Sequence, residues 1–105
     1  MKLSKYNDIS GVYIIKSKIK PKRVYIGSSK NIGKRWGGHL AMLKYTGHYN
    51  KELQKHYDKY GENDLEFLIL QGCEKSKLKA VEQFYIDCFN PYFNFAKTTG
   101  AGFHW

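Results

Sequence analysis

Two short runs of β-branched and aromatic residues, Gly11–Lys18 (GVYIIKSK) and Arg23–Gly27 (RVYIG), are separated only by the turn sequence IKPK. Val, Ile and Tyr suit a pleated, half-buried surface, while Pro21 cannot donate to a strand ladder, so the chain predicts an antiparallel hairpin near its start. Everything downstream has to pack on that hairpin, because 105 residues leave room for one hydrophobic core.

Helical spacing follows at once. From Asn31 to about Tyr45 the apolar residues Ile32, Trp36, Leu40 and Leu43 recur with a helix period, with Ser29 or Asn31 able to cap the start and Gly47 to mark the stop. Asn50–Tyr60, ended by Gly61, reads as a second helix with Leu53, His56, Tyr57 and Tyr60 on one side. Leu65–Gln71 (LEFLILQ) reads as a third strand, and Lys75–Phe89 as a third helix stopped by Asn90-Pro91. The order β-β-α-α-β-α gives a small α/β unit of the α+β sandwich kind over residues 1–94. Residues 95–105, with Gly100 and Gly102 and little periodicity, read as a C-terminal extension or linker stub.

The chain carries 18 Lys and Arg against 9 Asp and Glu, a net charge of +9, which suits a polyanionic partner such as nucleic acid. The excess is lopsided: residues 1–50 hold eleven basic residues and one acid, Asp8, whereas residues 51–105 hold seven basic residues and eight acids. The first half is therefore expected to face a phosphate backbone. Cys73 and Cys88 show neither metal spacing nor a disulfide framework, which fits an intracellular, reducing compartment. No signal peptide or run of ~18 apolar residues is readable.

Some residues break their local pattern. With Leu78 set at zero on the third helix, Phe89 falls near 20°, Glu82 near 40° and Ile86 near 80°, which puts an acid inside the apolar stripe. A carboxylate there is costly unless it pairs with a cation or coordinates a metal, so Glu82 is either half of a structural ion pair or a ligand for a hard cation such as Mg²⁺. Arg35 and His39 lie one turn apart at the border of the first helix's stripe, either as a basic helix edge or as a phosphate-binding guanidinium beside a proton-moving imidazole. Tyr13 and Tyr25 each face away from the aliphatic residues beside them, as in cross-strand packing or as a pair of site hydroxyls. Gly27 marks a turn or a point of close phosphate approach.

Taken in order, Gly11-Val12-Tyr13, Val24-Tyr25-Ile26-Gly27, Lys34-Arg35-Trp36 with His39, Glu82 followed by Gln83-Phe84-Tyr85-Ile86, and Asn94 after Asn90-Pro91 resemble the GIY-YIG nuclease superfamily. The resemblance spans roughly Gly11 to Asn94. It implies a three-stranded antiparallel sheet flanked by helices, and hydrolysis of phosphodiesters in double-stranded DNA with a single divalent metal, Mg²⁺ or Mn²⁺. By resemblance Tyr13 is a general base, Tyr25 positions water or phosphate, and Arg35 stabilises charge on the phosphate. Glu82 is the metal ligand, His39 a further functional histidine and Asn94 a supporting residue. A phenol of pKa ~10 needs nearby positive charge to act as a base at neutral pH, and Lys16 and Lys18 on the first strand are candidates to supply it.

The stretch Thr46-Gly-His48-Tyr-Asn50, with Leu53-Gln54 and Tyr60-Gly61, looks most like the homing-endonuclease branch, in which a histidine near His48 assists the site. Relatives of that type carry a separate DNA-recognition region after a linker, so the chain is expected to be an isolated catalytic domain or a fragment. The Gly37-Gly38 pair inside the first helix is unfavourable there, and close approach of backbone to DNA or to the sheet is one use for it. A restriction or repair nuclease of the same fold is the alternative enzyme. A non-catalytic basic nucleic-acid-binding module using exposed tyrosines is the alternative of another class, and it predicts that Glu82 is dispensable.

Overall fold

A computed structural model describes residues 3–94 of the chain. The hairpin forms as expected, from β1 (Gly11–Ser17) and β2 (Val24–Ser29). β3 (Leu65–Gly72) pairs with the other side of β1, so the sheet runs β2-β1-β3 and is antiparallel throughout. The helices are α1 (Ile32–Ala41), α2 (Lys51–Tyr60) and α3 (Leu78–Phe89). Both the fold class and the element order therefore match the reading of the sequence.

Two helix bounds differ from that reading. The periodic stretch to Tyr45 stops being α-helical at Ala41 and continues as a π turn, Met42–Thr46, closed by a 2.7 Å hydrogen bond from the Gly47 N–H to the Met42 carbonyl. Gly47 then takes φ 88°, a conformation that favours glycine. At the third helix, Lys75–Lys77 form a 3₁₀ turn before α3 begins. α1 and α2 start cleanly because the Asn31 and Asn50 side chains accept hydrogen bonds from the N–H groups of Lys34 and Leu53; such caps contribute ~1 kcal/mol each.

The two sheet faces bury different things. Val12, Ile14, Val24 and Ile26 pack against Ile86 of α3. Their alternates Tyr13, Ile15 and Tyr25 pack on the other face with Ile32 and Trp36 of α1, Leu43, Leu53 of α2 and Phe93. Strand period two thus sends Val12, Ile14, Val24 and Ile26 to α3 and the phenols, with Ile15, to α1.

β2 is an edge strand, and its free edge is covered by the chain beyond α3. Phe93 N–H donates to the Val24 carbonyl at 3.0 Å, and the Asn94 side chain accepts from Ile26 N–H at 3.0 Å and donates to the Ile26 carbonyl at 2.9 Å. Asn94 thus does for β2 what a neighbouring strand would do. At the far end of the hairpin Asp64 accepts from the Ser17 hydroxyl at 2.6 Å and from Ile19 N–H at 2.9 Å, and pairs with His56 at 2.6 Å. His56 belongs to this clasp. Among the described residues no helix is long and apolar enough to cross a membrane, and both cysteines are free thiols.

Candidate active site

The phenols come first, because the sheet places them. Tyr13 and Tyr25 stack with ring centroids 6.5 Å apart and planes inclined by 27°. The register sets Tyr13 opposite Gly27 and Tyr25 opposite Ile15, so the tyrosines lie diagonally rather than face to face. A β-carbon on Gly27 would sit 2.5 Å from the Tyr13 hydroxyl oxygen. The space that glycine leaves is therefore filled by Tyr13, and this, more than an approach of phosphate, is what Gly27 provides.

α1 brings up the next groups. Its 3.6-residue period puts Arg35 and His39 on one face. His39 is fully buried; its Nε2 lies 2.7 Å from Tyr13 Oη, and its Nδ1 lies 2.7 Å from Nε2 of His48. The two imidazoles are nearly parallel, 5.0 Å apart at 10°. His48, in the loop after the π turn, accepts at Nδ1 from the main-chain N–H of Asn50 at 3.0 Å. Asn50 in turn caps α2 and donates from its side chain to the Phe93 carbonyl. Next to them the Tyr49 phenol lies close enough to Tyr25 to act on it electrostatically. Arg35 is half-buried and walls the cleft described below.

Glu82 of α3 is fully buried, and its Oε1 accepts from the Ser28 hydroxyl at 2.6 Å. Ser28 lies near the end of β2 on the α3 face, one residue past Gly27, so the carboxylate and the Tyr13 phenol lie near the same end of this edge strand, on opposite faces of the sheet. A cleft of about 690 Å³ opens there, between α1 on one side of the sheet and α3 on the other, with Ser28, Arg35, Gly38 and His39 in its wall. Lys30 and Lys34 border it from the α1 side, Lys75 and Lys79 from the α3 side. The expectation that positive charge at the site belongs to the N-terminal half is thus only half right: the second bank comes from residues 75–79.

Burial pushes the Tyr13 phenol well above its ordinary value of 10, the nearby Arg35 guanidinium pulls it back, and Tyr49 and Glu82 push it up. Burial likewise raises Tyr25, helped by Tyr13, Tyr49 and Glu82. Burial lowers His48 to about 4, so its imidazole is neutral near pH 7. The cation acting on Tyr13 is therefore Arg35 and not a strand lysine. Lys16 lies on the α3 face, bordering a separate groove with Ile14, Val24 and Phe89, and Lys18 lies beyond the end of β1.

Of the six residues expected at the site, Arg35 and His39 wall the cleft, Tyr13 and Tyr25 lie buried against His39, Glu82 is buried against Ser28 of the wall, and Asn94 fixes the edge of β2. The close approach expected at Gly37-Gly38 does not involve the sheet: Gly38 lies in the cleft wall with nothing within 4 Å of an added β-carbon, and one on Gly37 would meet the Leu3 side chain at 3.7 Å. Sequence reasoning missed Ser28, Tyr49 and Asn50. Ser28 had a signal, since it is polar at a position that strand period assigns to the aliphatic face, just as Glu82 is acidic in an apolar stripe. Among the described residues no three His, Cys, Asp or Glu side chains gather as a metal cage. Glu82 offers a single hard oxygen ligand, which fits an ion of the Mg²⁺ type that keeps several waters and takes its remaining ligands from a phosphate.

A β2-β1-β3 sheet carrying paired phenols, a helical Arg–His pair and a buried glutamate on the opposite helix defines a catalytic domain of the GIY-YIG class. The chain belongs to that family, whose model, the GIY-YIG catalytic domain, matches residues 9–96. It is 37% identical over 87 residues to the intron-associated endonuclease 1 of Enterobacteria phage T4, an alignment covering 81% of this chain and 35% of that protein. This chain thus spans about a third of that relative's length. Among solved structures it resembles the catalytic domain of the homing endonuclease I-TevI, with a TM-score of 0.75 and 34% identity over 83% of this chain and 98% of that one. A substituted variant of the same catalytic domain gives a TM-score of 0.77 at 33% identity, covering 87% of this chain and 97% of that one.

Proposed function

We propose that this chain is the DNA-cleaving domain of a homing-type endonuclease, hydrolysing phosphodiesters of double-stranded DNA with one divalent metal ion held by Glu82. The observation that carries the reading is the convergence of Glu82, held by Ser28, with Arg35 and the Tyr13–His39 pair at the end of one edge strand. A buried carboxylate on an apolar helix face is costly, and a metal-assisted phosphate site gives it a use.

Each group then has a physical task. The lysines on the two banks draw in the DNA backbone and contribute the salt-sensitive part of the affinity. Arg35 presents two parallel N–H donors to non-bridging phosphate oxygens, which stabilises the charge that accumulates there during attack. Tyr13 takes the proton of the attacking water, with Arg35 opposing the rise in its pKa that burial imposes. Tyr25 orients water or phosphate, and Ser28 fixes the orientation of the Glu82 carboxylate. Held by Glu82, an Mg²⁺ or Mn²⁺ ion would supply a Lewis acid to the phosphate.

The domain is residues 1–94, and target recognition is assigned to a region outside this chain, as expected of the homing type. Nicking of supercoiled plasmid tests the reading. Wild type nicks with Mg²⁺ and stops with EDTA, while Glu82→Ala binds DNA and does not nick. Metal-independent binding without nicking by the wild type would instead favour a non-catalytic binding module.

A further inference from the structure

The hydrogen bonds through His48 and His39 have a direction, and it is fixed at one end by the backbone. A main-chain N–H can only donate, so Nδ1 of His48, 3.0 Å from Asn50 N, bears no proton. A neutral imidazole bare at Nδ1 carries its proton at Nε2, and that nitrogen is the one 2.7 Å from His39. His48 therefore donates to Nδ1 of His39. His39, accepting at Nδ1, carries its own proton at Nε2, 2.7 Å from Tyr13 Oη.

We propose that His48 is a positioning residue which, oriented by the Asn50 main chain, fixes the tautomer of His39 so that Tyr13 receives an N–H donor instead of giving its proton to His39. The functional part of this rests on the nuclease reading of Tyr13; the tautomers do not.

The consequence is a division of labour between Tyr13 and His39. Were His39 free to present a bare Nε2, the pair would act as a histidine base behind a tyrosine donor. With the relay set as found, His39 has no vacant lone pair facing Tyr13, and the hydrogen of the Tyr13 hydroxyl is aimed elsewhere. In the phenolate form of Tyr13 the N–H of His39 faces the oxygen and stabilises its charge. The phenolate takes a proton from the attacking water, becoming a phenol again as the new P–O bond forms and the leaving oxygen departs. No proton travels along the relay. The rigidity of the source suits this task, because the Asn50 side chain is tied to the start of α2 and to Phe93 at the same time.

Two isosteric substitutions separate direction from mere occupancy. In His48→Gln the side-chain oxygen accepts from Asn50 while the amide nitrogen still donates to His39 Nδ1. In His48→Glu a carboxylate can only accept, so His39 must carry a proton at Nδ1. Proton–nitrogen correlation spectra of the imidazole rings near pH 7 read the tautomers directly. The wild type is expected to show Nε2–H on both His39 and His48, and His48→Gln to keep Nε2–H on His39 and cleave within ~10-fold of wild type. His48→Glu is expected to bear a proton at His39 Nδ1 and to lose about 100-fold in the single-turnover cleavage rate with DNA affinity unchanged, the scale of a lost acid–base contribution.

A wild-type His39 protonated at Nδ1, or at both nitrogens, overturns the relay. Cleavage by His48→Glu at the wild-type rate overturns its role even if the tautomers are as stated. A failure of the nuclease reading is visible separately, as absence of cleavage in the wild type, and the wild-type spectra decide the tautomers without any activity.

Discussion

Gly27 shows how much a single residue can carry. Tyr13 lies across it, and an added methyl would meet the phenol oxygen at 2.5 Å. Gly27→Ala is therefore expected to shift Tyr13 off His39 and to cost ~1–3 kcal/mol of stability by overpacking. Displacement of about 1 Å at a reacting group costs ~100-fold in rate, so cleavage should fall further than stability alone explains. Denaturant midpoints and single-turnover rates on one preparation separate the two effects. Arg35→Lys keeps the charge and loses the planar fork, and is expected to lower the cleavage rate about 100-fold with little change in DNA binding; wild-type cleavage would remove Arg35 from the phosphate. Glu82, Arg35 and His39 were legible because each breaks or borders a periodic stripe. Tyr49 and Asn50 were not, because they act from the loop after the π turn, where no period assigns a direction to a side chain.

At the scale of elements, the glycines of α1 divide into two kinds. An added β-carbon on Gly33 would lie 2.6 Å from the Leu3 carbonyl oxygen and 2.8 Å from the Asn7 nitrogen, so this glycine is what allows the N-terminal turn to seat on α1. Gly38, five residues on, meets nothing. Gly33→Ala is expected to destabilise by ~1–3 kcal/mol or to release that turn, and Gly38→Ala to stabilise by ~0.5–1 kcal/mol. Thermal melts of both variants check the contrast, and equal shifts would contradict it. The hairpin, three helices and third strand were readable from period and turn residues. The π turn was not, since Leu43 fits a helical stripe either way and only the Gly47 hydrogen bond to Met42 distinguishes the two. Nor does periodicity reveal that residues 93–94 cover the edge of β2, which is a long-range contact.

For the whole molecule, folding and acidity are linked through the buried relay. His48 titrates near 6.5 when unfolded and at about 4 when folded, so between these values the unfolded chain binds the additional proton. Its contribution is thus intact above about pH 6.5 and is lost progressively as pH falls towards 4. Asp64 adds a second loss at lower pH: burial raises it, but hydrogen bonds from Ser17, His56 and Ile19 N–H hold it below the usual 3.8, so its support fades as pH falls beneath that value. Urea midpoints should therefore decline steadily from pH 7 to pH 4, and the decline should be shallower in His48→Gln. A flat profile would mean that His48 is not buried as a neutral ring.

If Glu82 makes this fold a nuclease, Glu82→Gln, which keeps the size of the side chain and an acceptor for Ser28, is the most direct test. With DNA affinity and single-turnover plasmid cleavage measured together in Mg²⁺, the substitution is predicted to leave affinity within a few-fold while abolishing cleavage by ~100-fold or more. Cleavage at the wild-type rate would contradict the account.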